Sequence, residues 1–352
     1  MAATGLRRRA FHQAALWLAS AVAAPVLHAQ PRPEKARLTL AVGGKASLNH
    51  LPLTLAEQLG FFKAEGLEVD IVDQGDGALA VQAALAGAAE VVVGAYAETL
   101  ELQSRGHSYR AFVLLGRAPQ IALGVSTRNV PGFRALEQLR GRRIGVVRPG
   151  SSSHMIASLA LARAGLGSAD VRYIATGAGS GAGAGVLAAL RDGELDAISH
   201  TDPVMTMLEQ RGEVRIVSDT RTLRGTQELL GGPMPTCCLY ASADFVQRHP
   251  QTVQALTHAI VRALKWLQTA GPGDLIKTVP ESYMLGDRAL YLASFNKLRE
   301  AISHDGLISD EGARTTLRAL ADFEALVRSE RIDLGRSYTN EFARRAKQRF
   351  QA

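Results

Sequence analysis

The chain has 352 residues, 47% of them hydrophobic and 21% charged, which excludes a disordered or collagen-like protein. Two cysteines exclude a disulfide-dense scaffold and a thiolate zinc cluster. The formal charge of +7 raises nucleic-acid binding, but the excess of positive charge sits at the two ends: Arg7, Arg8 and Arg9 at the front, Arg344, Arg345, Lys347 and Arg349 at the back. The body between them is near neutral and aromatics are only 5%, so neither a basic groove nor a base-stacking platform is expected.

Residues 1–29 read as an export signal. A basic start precedes an apolar run from Ala14 to Val26, and Leu27-His28-Ala29 offers a cleavage site. Arg8-Arg9-Ala10-Phe11 resembles a twin-arginine signal, although general-route signals also carry arginines. The run is shorter than the ~20 residues that span a bilayer. With no cysteine near the cleavage site, a lipoprotein is not expected, and the mature protein is placed in the periplasm.

The body alternates strands and helices. Strands are predicted at 38–42, 67–72, 90–94, 109–115 and 121–126, with helices at 51–60, 78–86 and 97–105 between them. The rhythm restarts after Gly141: strands at 143–147, 171–175, 195–199 and 214–217 alternate with helices ending near 164 and 191 and one opened by Pro203. From Pro235 one strand is followed by helices at 251–268, about 287–302 and about 310–328. This pattern predicts an α/β fold with two lobes. Lobe one comprises 37–125 plus 232–340, lobe two 126–231, and 341–352 is a basic tail.

Four stretches then resemble one family: 53–69, containing Leu59-Gly60-Phe61-Phe62-Lys63-Ala64-Glu65-Gly66-Leu67; 135–146, with Leu139-Arg140-Gly141-Arg142-Arg143-Ile144-Gly145-Val146; 188–197, with Asp192-Gly193-Glu194-Leu195-Asp196-Ala197; and Asp244-Phe245-Val246-Gln247-Arg248-His249-Pro250. The chain resembles the periplasmic solute-binding proteins of ABC importers, in the nitrate/sulfonate/taurine group that also holds thiamine-precursor binders. The resemblance implies a type II-like fold of two lobes joined by two crossover segments. It implies a cleft for a small, anionic solute, and delivery to an inner-membrane permease with its ATPase. A monomer with no catalytic residue, cofactor or metal is expected, and no nucleic-acid partner.

Open α/β sheets bind ligands beyond the carboxyl ends of their strands, where helix N-termini favour anions. That places Asn49 and His50 in the site, and Ser151, Ser152 and Ser153, whose alternative is plain helix capping. Asp76, Tyr96, Thr176, Gly177, His200, Thr201 and Asp202 follow as further candidates at strand ends. Tyr96 could instead be surface or core, and His200 a packed residue. Arg117 and Arg148 read as surface charges that could neutralise an anion.

The glycines of 177–185 fall at every second position and do not form Gly-x-Gly-x-x-Gly, and no Gly-x-Ser-x-Gly elbow occurs. Cys237-Cys238 lacks the longer cysteine-rich motif of the related thiamine-pyrimidine synthases. It reads as two small hydrophobes, one buried and one half buried, with an adjacent disulfide or catalysis as alternatives. A synthase-like enzyme and a periplasmic sensor remain the other readings of the fold.

Overall fold

The computed structural model describes residues 32–177, 182–324, 327 and 329–352. The expected export signal lies outside the described residues.

Ten apolar runs become strands: β1 (Arg37–Val42), β2 (Glu68–Asp73), β3 (Val91–Ala95), β4 (Tyr109–Leu114), β5 (Ile121–Ser126), β6 (Arg143–Val146), β7 (Arg172–Ala175), β8 (Ala197–Thr201), β9 (Val214–Asp219) and β10 (Cys237–Ser242). They form two five-stranded sheets, in the orders β2-β1-β3-β10-β4 and β7-β6-β8-β5-β9. β1 runs parallel to β2 and β3, and β6 parallel to β7 and β8. In each sheet one strand runs against its two neighbours, β10 in the first and β5 in the second.

Strands buried on both faces need apolar residues at every position. Leu40 and Val42 of β1 join Val91 and Val93 of β3 in one core, while Ala41 and Val92 point into the other, with Tyr240 and Cys238. Cys237 falls on the opposite face from Cys238, so the period of two separates the neighbouring thiols. Both are buried and free, where one half-buried residue was expected. The second sheet has its own pair of cores, one around Leu123, Ile144 and Leu161 and one around Ile198, Met205 and Val214.

Strand pairing and helix packing each correct one expected boundary. β5 was assigned to lobe one, but it bonds only to β8 and β9, so the first crossing lies near 115–120. The returning chain crosses beside it: Thr236 N–H donates to the Gly116 carbonyl (2.9 Å) and Gly116 N–H to the Cys237 carbonyl (3.1 Å). The expected basic tail is helix Glu341–Phe350, which buries Phe342, Ala343 and Ala346 against helix Pro250–Thr269. Its charges read as a basic tail, but Phe342, Ala343 and Ala346 lie on one face at helical spacing. Helix Leu223–Leu230 was not expected either. Thr222 caps it by accepting from Gly225 N–H (2.9 Å), and Gly231 ends it at φ 69°.

Among the described residues no helix is long and apolar enough to cross a membrane.

Candidate functional site

A cavity of about 330 Å³ opens between the two sheets, at the carboxyl ends of β1, β3, β6 and β8. From the candidates, Asn49, His50, Asp76, Ser151, Ser152, Ser153 and Thr201 line it. Tyr96, Thr176, Gly177, His200 and Asp202 do not.

The turn after β1 carries Asn49 and His50. His50 is buried, and its Nδ1–H bonds the Gly44 carbonyl (3.0 Å). Burial holds the imidazole below its ordinary value and therefore neutral. Asn49 Oδ1 is buried without a hydrogen-bond partner. In a structure where buried polar groups are almost always paired, such an atom in a cavity wall marks a group that a ligand can complete.

Asp76 caps helix Gly77–Leu85, accepting from Ala78 N–H (2.7 Å) through Oδ1. Its Oδ2 accepts from Arg148 Nε (2.9 Å), and Arg148 follows β6 of the other sheet. The pair therefore ties the two sides of the cleft together. A second tie is made by backbone: Leu48 N–H donates to the Asp202 carbonyl (3.2 Å). Arg148 is thus committed to a carboxylate. Arg117 Nε bonds the Glu300 carbonyl (2.8 Å), away from the cavity.

The three serines divide. Ser151 caps helix Ser152–Ala162, its Oγ accepting from His154 N–H (3.5 Å), and it shares a hydrogen bond with Ser153 Oγ (2.9 Å). Ser153 Oγ also accepts from Val147 N–H (2.9 Å). Both hydroxyls serve the turn, which is the capping alternative. Ser152 lies outside that network and faces the same cavity. Ser151→Ala is expected to cost about 1 kcal/mol in urea unfolding, with a change in ligand affinity smaller than that of Ser152→Ala.

The candidates outside the cavity have structural work. Tyr96 is fully buried, shares a hydrogen bond with Ser337 Oγ (2.6 Å) and meets Tyr338 edge-on. His200 is buried, with Nε2–H donating to the Gly177 carbonyl (3.0 Å) while Nδ1 accepts from Thr201 N–H (2.9 Å). Thr176 Oγ1 bonds the Val146 carbonyl (2.9 Å). Asp202 accepts from Thr206 N–H (2.8 Å) and neighbours Arg221, away from the cleft.

Sequence reading stopped at Tyr96 and missed Glu98 and Glu101, one turn further along the same helix, Tyr96–Ser104. Residues three apart share a helix face, and both side chains line the cavity. Glu98 Oε2 accepts from Ala95 N–H (3.0 Å) and Tyr240 OH (2.6 Å). The carboxyl fits because its neighbours are glycines. A Cβ on Gly77 would lie 3.0 Å from Oε1, and one on Gly94 would collide with Oε2. Burial, reinforced by Glu101 and Asp76, pushes the Glu98 carboxyl up to about 8 against the pull of Tyr240 and Ala95. Burial and Glu324 push Glu101 up to about 7. Two acids at helical spacing after a strand end were the available signal.

A carboxyl raised on folding binds a proton that the unfolded chain has already released. Its contribution is fully present below the unfolded value and is lost as pH rises through the folded one. Glu98 and Glu101 should therefore subtract stability from the empty protein between about pH 4.5 and pH 8. The buried neutral His50 and His200 act oppositely, weakening the fold as pH falls below their unfolded value. Glu98→Gln removes one acidic contribution. Urea midpoints of variant and parent should converge near pH 5 and separate in the variant's favour by pH 8. A constant gap would mean that Glu98 is ionised throughout.

Comparison with known proteins agrees with the fold. A protein of Bordetella bronchiseptica RB50 known from its structure is 50% identical, with a TM-score of 0.87 over 92% of this chain and all of that one. The alkanesulfonate-binding protein SsuA of Xanthomonas axonopodis pv. citri, solved with MOPS bound, is 18% identical, with a TM-score of 0.67 over 87% of this chain and 99% of its own. The fold is that of the periplasmic binding proteins. The 4-amino-5-hydroxymethyl-2-methylpyrimidine phosphate synthase of Schizosaccharomyces pombe is 26% identical over 234 residues, 64% of this chain. The matched region spans 63% of the synthase's length. Residues 47–270 match the family described as NMT1/THI5 like, and the chain belongs to that family.

Proposed function

We propose that the chain is an exported solute-binding protein that captures a small molecule between its lobes and delivers it to an ABC-type permease with its ATPase. The observation that carries this reading is the cavity between the sheets, closed on one side by the Arg148–Asp76 pair. The crossing segments at Gly116 and Thr236 lie side by side, as a hinge requires. Among the contacts across the cleft are a half-exposed ion pair, Arg148 with Asp76, and a backbone hydrogen bond, from Leu48 to Asp202, each of modest strength. The basic and apolar segment before Gln30 supports export, by the twin-arginine or the general route, to the periplasm.

The synthase match and the presence of Cys237 in the cavity wall support the enzymatic alternative. The chemistry at that wall favours binding. Burial and the neighbouring Glu98 push the Cys237 thiol far up, away from the thiolate that a nucleophile or metal ligand needs. The test is a melting-temperature screen of the mature chain, followed by mass spectrometry of the bound solute after prolonged incubation. A solute at 100 times its Kd should add about 2.7 kcal/mol of stability and be recovered unchanged. Recovery of a converted product would overturn the binding reading in favour of catalysis.

A further inference from the structure

We propose that the captured solute is a small organic cation, an amine or amidinium on an apolar body, with its charged nitrogen held by Glu98 and Glu101. This rests on the solute-binding reading and assigns the ligand its charge, opposite to the anion expected from the sequence.

The cavity wall carries four carboxyl groups, on Asp76, Glu98, Glu101 and Glu324, against the guanidinium groups of Arg105 and Arg148. Arg148 is spent on Asp76 and on the Pro149 carbonyl. At the two helix N-termini beside the cavity, Asp76 and Ser151 each already cap one backbone N–H. Beside the exposed Arg105 guanidinium and the Ser152 hydroxyl, the wall also holds acceptors without a partner among the described residues. Glu98 Oε1 has no hydrogen-bond partner among the described residues and lies beside Gly77, itself in the wall. Glu101 has no ion-pair partner among them, and the buried Asn49 Oδ1 is unpartnered. A ligand that brings N–H donors and positive charge completes these groups. An anion would leave these acceptors unmet and would be repelled by each of the four carboxyl groups that is ionised. Val81, Leu85, Leu102 and Phe323 supply apolar wall for the rest of the molecule.

The same geometry gives the binding a pH signature. Glu98 is faced by Tyr240 and Cys237 from β10, by Glu101 from its own helix and by Asp76, beyond which lies Arg148. Glu101 is faced by Glu324, Arg105 and Arg148. The near-neutral groups in this set are the two glutamic acids, which hold protons in the empty cleft. A cation drives those protons off; a neutral or anionic ligand leaves them in place.

The test uses the mature chain, with benzylamine and benzamidine as cationic probes, benzyl alcohol as the neutral one, and benzoate and benzenesulfonate as anions, titrated by calorimetry at constant ionic strength. At least one cation should bind best, release protons in buffers of different ionisation enthalpy, and tighten about tenfold between about pH 6 and about pH 8.5. Glu98→Gln should weaken that binding about tenfold or more and flatten its pH dependence. Glu101→Gln serves as the second variant should the first unfold, with circular dichroism confirming the fold of each. Binding of anions alone, tightening as pH falls, overturns the charge assignment and makes Glu98 a proton donor to the ligand, while solute capture stands. Failure of every probe at millimolar concentration counts against solute capture itself and takes the proposal with it.

Discussion

Replacing Arg221 by leucine is expected to cost about 3–5 kcal/mol of folding stability. The Arg221 side chain is 1% exposed and makes a two-point contact with Asp219, Nε to Oδ1 at 2.8 Å and a terminal nitrogen to Oδ2 at 2.7 Å. It also reaches Glu209 (3.2 Å), Thr206 Oγ1 (3.3 Å) and Asp202 (3.5 Å). Asp219 and Glu209 are partly exposed and can turn to water, but Asp202 cannot: its side chain is fully buried and its Oδ2 has no hydrogen-bond partner. Without the guanidinium that carboxyl must either take a proton or stay charged in the interior. Arg221→Lys should recover only part of the loss, since one ammonium cannot match the fork that spans three acids. Arg221→Leu combined with Asp202→Asn should be more stable than Arg221→Leu alone. Urea unfolding of the parent, Arg221→Leu, Asp202→Asn and the double variant measures the coupling; independent, additive effects of the two sites would show that Asp202 does not depend on the arginine.

This network also shows where sequence reading ends. Arg221 looks like any surface arginine in a turn between a strand and a helix. Its burial depends on Asp202 and Glu209, on other elements of the same lobe, and on Lys297, which pairs with Glu209 from the returning segment. No local pattern carries that information. The strands were legible for the opposite reason. Leu38-Thr39-Leu40-Ala41-Val42 is apolar at almost every position because both faces of β1 are covered, and that is a local property. β5 was legible as a strand but not as part of its sheet, since its partners β8 and β9 begin more than 70 residues later.

The site follows the same division. That the loops after β1 and β6 face the cleft came from topology alone, and Asn49 and Ser152 lie there. Which side chain of a helix's first turns faces inward did not. Tyr96 turns to the core and its ring fills space beside Tyr338, while Glu98 is drawn to the cavity by Tyr240 of β10, 142 residues away in sequence. The serines were read as ligand donors, yet the turn itself absorbs two of the three hydroxyls. The anion preference came from the resemblance and from bare helix N-termini. In the structure Asp76 and Ser151 cap two of those termini, and Asp76 is paired with Arg148.

Gly43→Ala is expected to cost about 1–3 kcal/mol and to weaken ligand binding about tenfold or more. Gly43 follows β1 where the chain passes the start of helix Gly77–Leu85. A Cβ there would lie 2.7 Å from Gly77 Cα and far inside contact distance of Gly77 N and the Asp76 carbonyl carbon. All three neighbours are backbone, so no side chain can swing away and the helix start itself must retreat. That start carries two parts of the site. Asp76 holds Arg148 across the cleft, and Gly77 forms the wall beside Glu98 Oε1. A shift of about 1 Å there both strains the tie between the lobes and opens a gap behind the acid that meets the ligand. Gly185→Ala is the control: it lies in helix Ala182–Arg191 with nothing within 4 Å of the new Cβ, and should stabilise by about 0.5–1 kcal/mol without touching affinity. Calorimetry with the best cationic probe and urea unfolding measure both variants. A Gly43→Ala protein that unfolds and binds like the parent would mean that the backbones at 43 and 77 have room between them, and that the wall behind Glu98 is not fixed by β1.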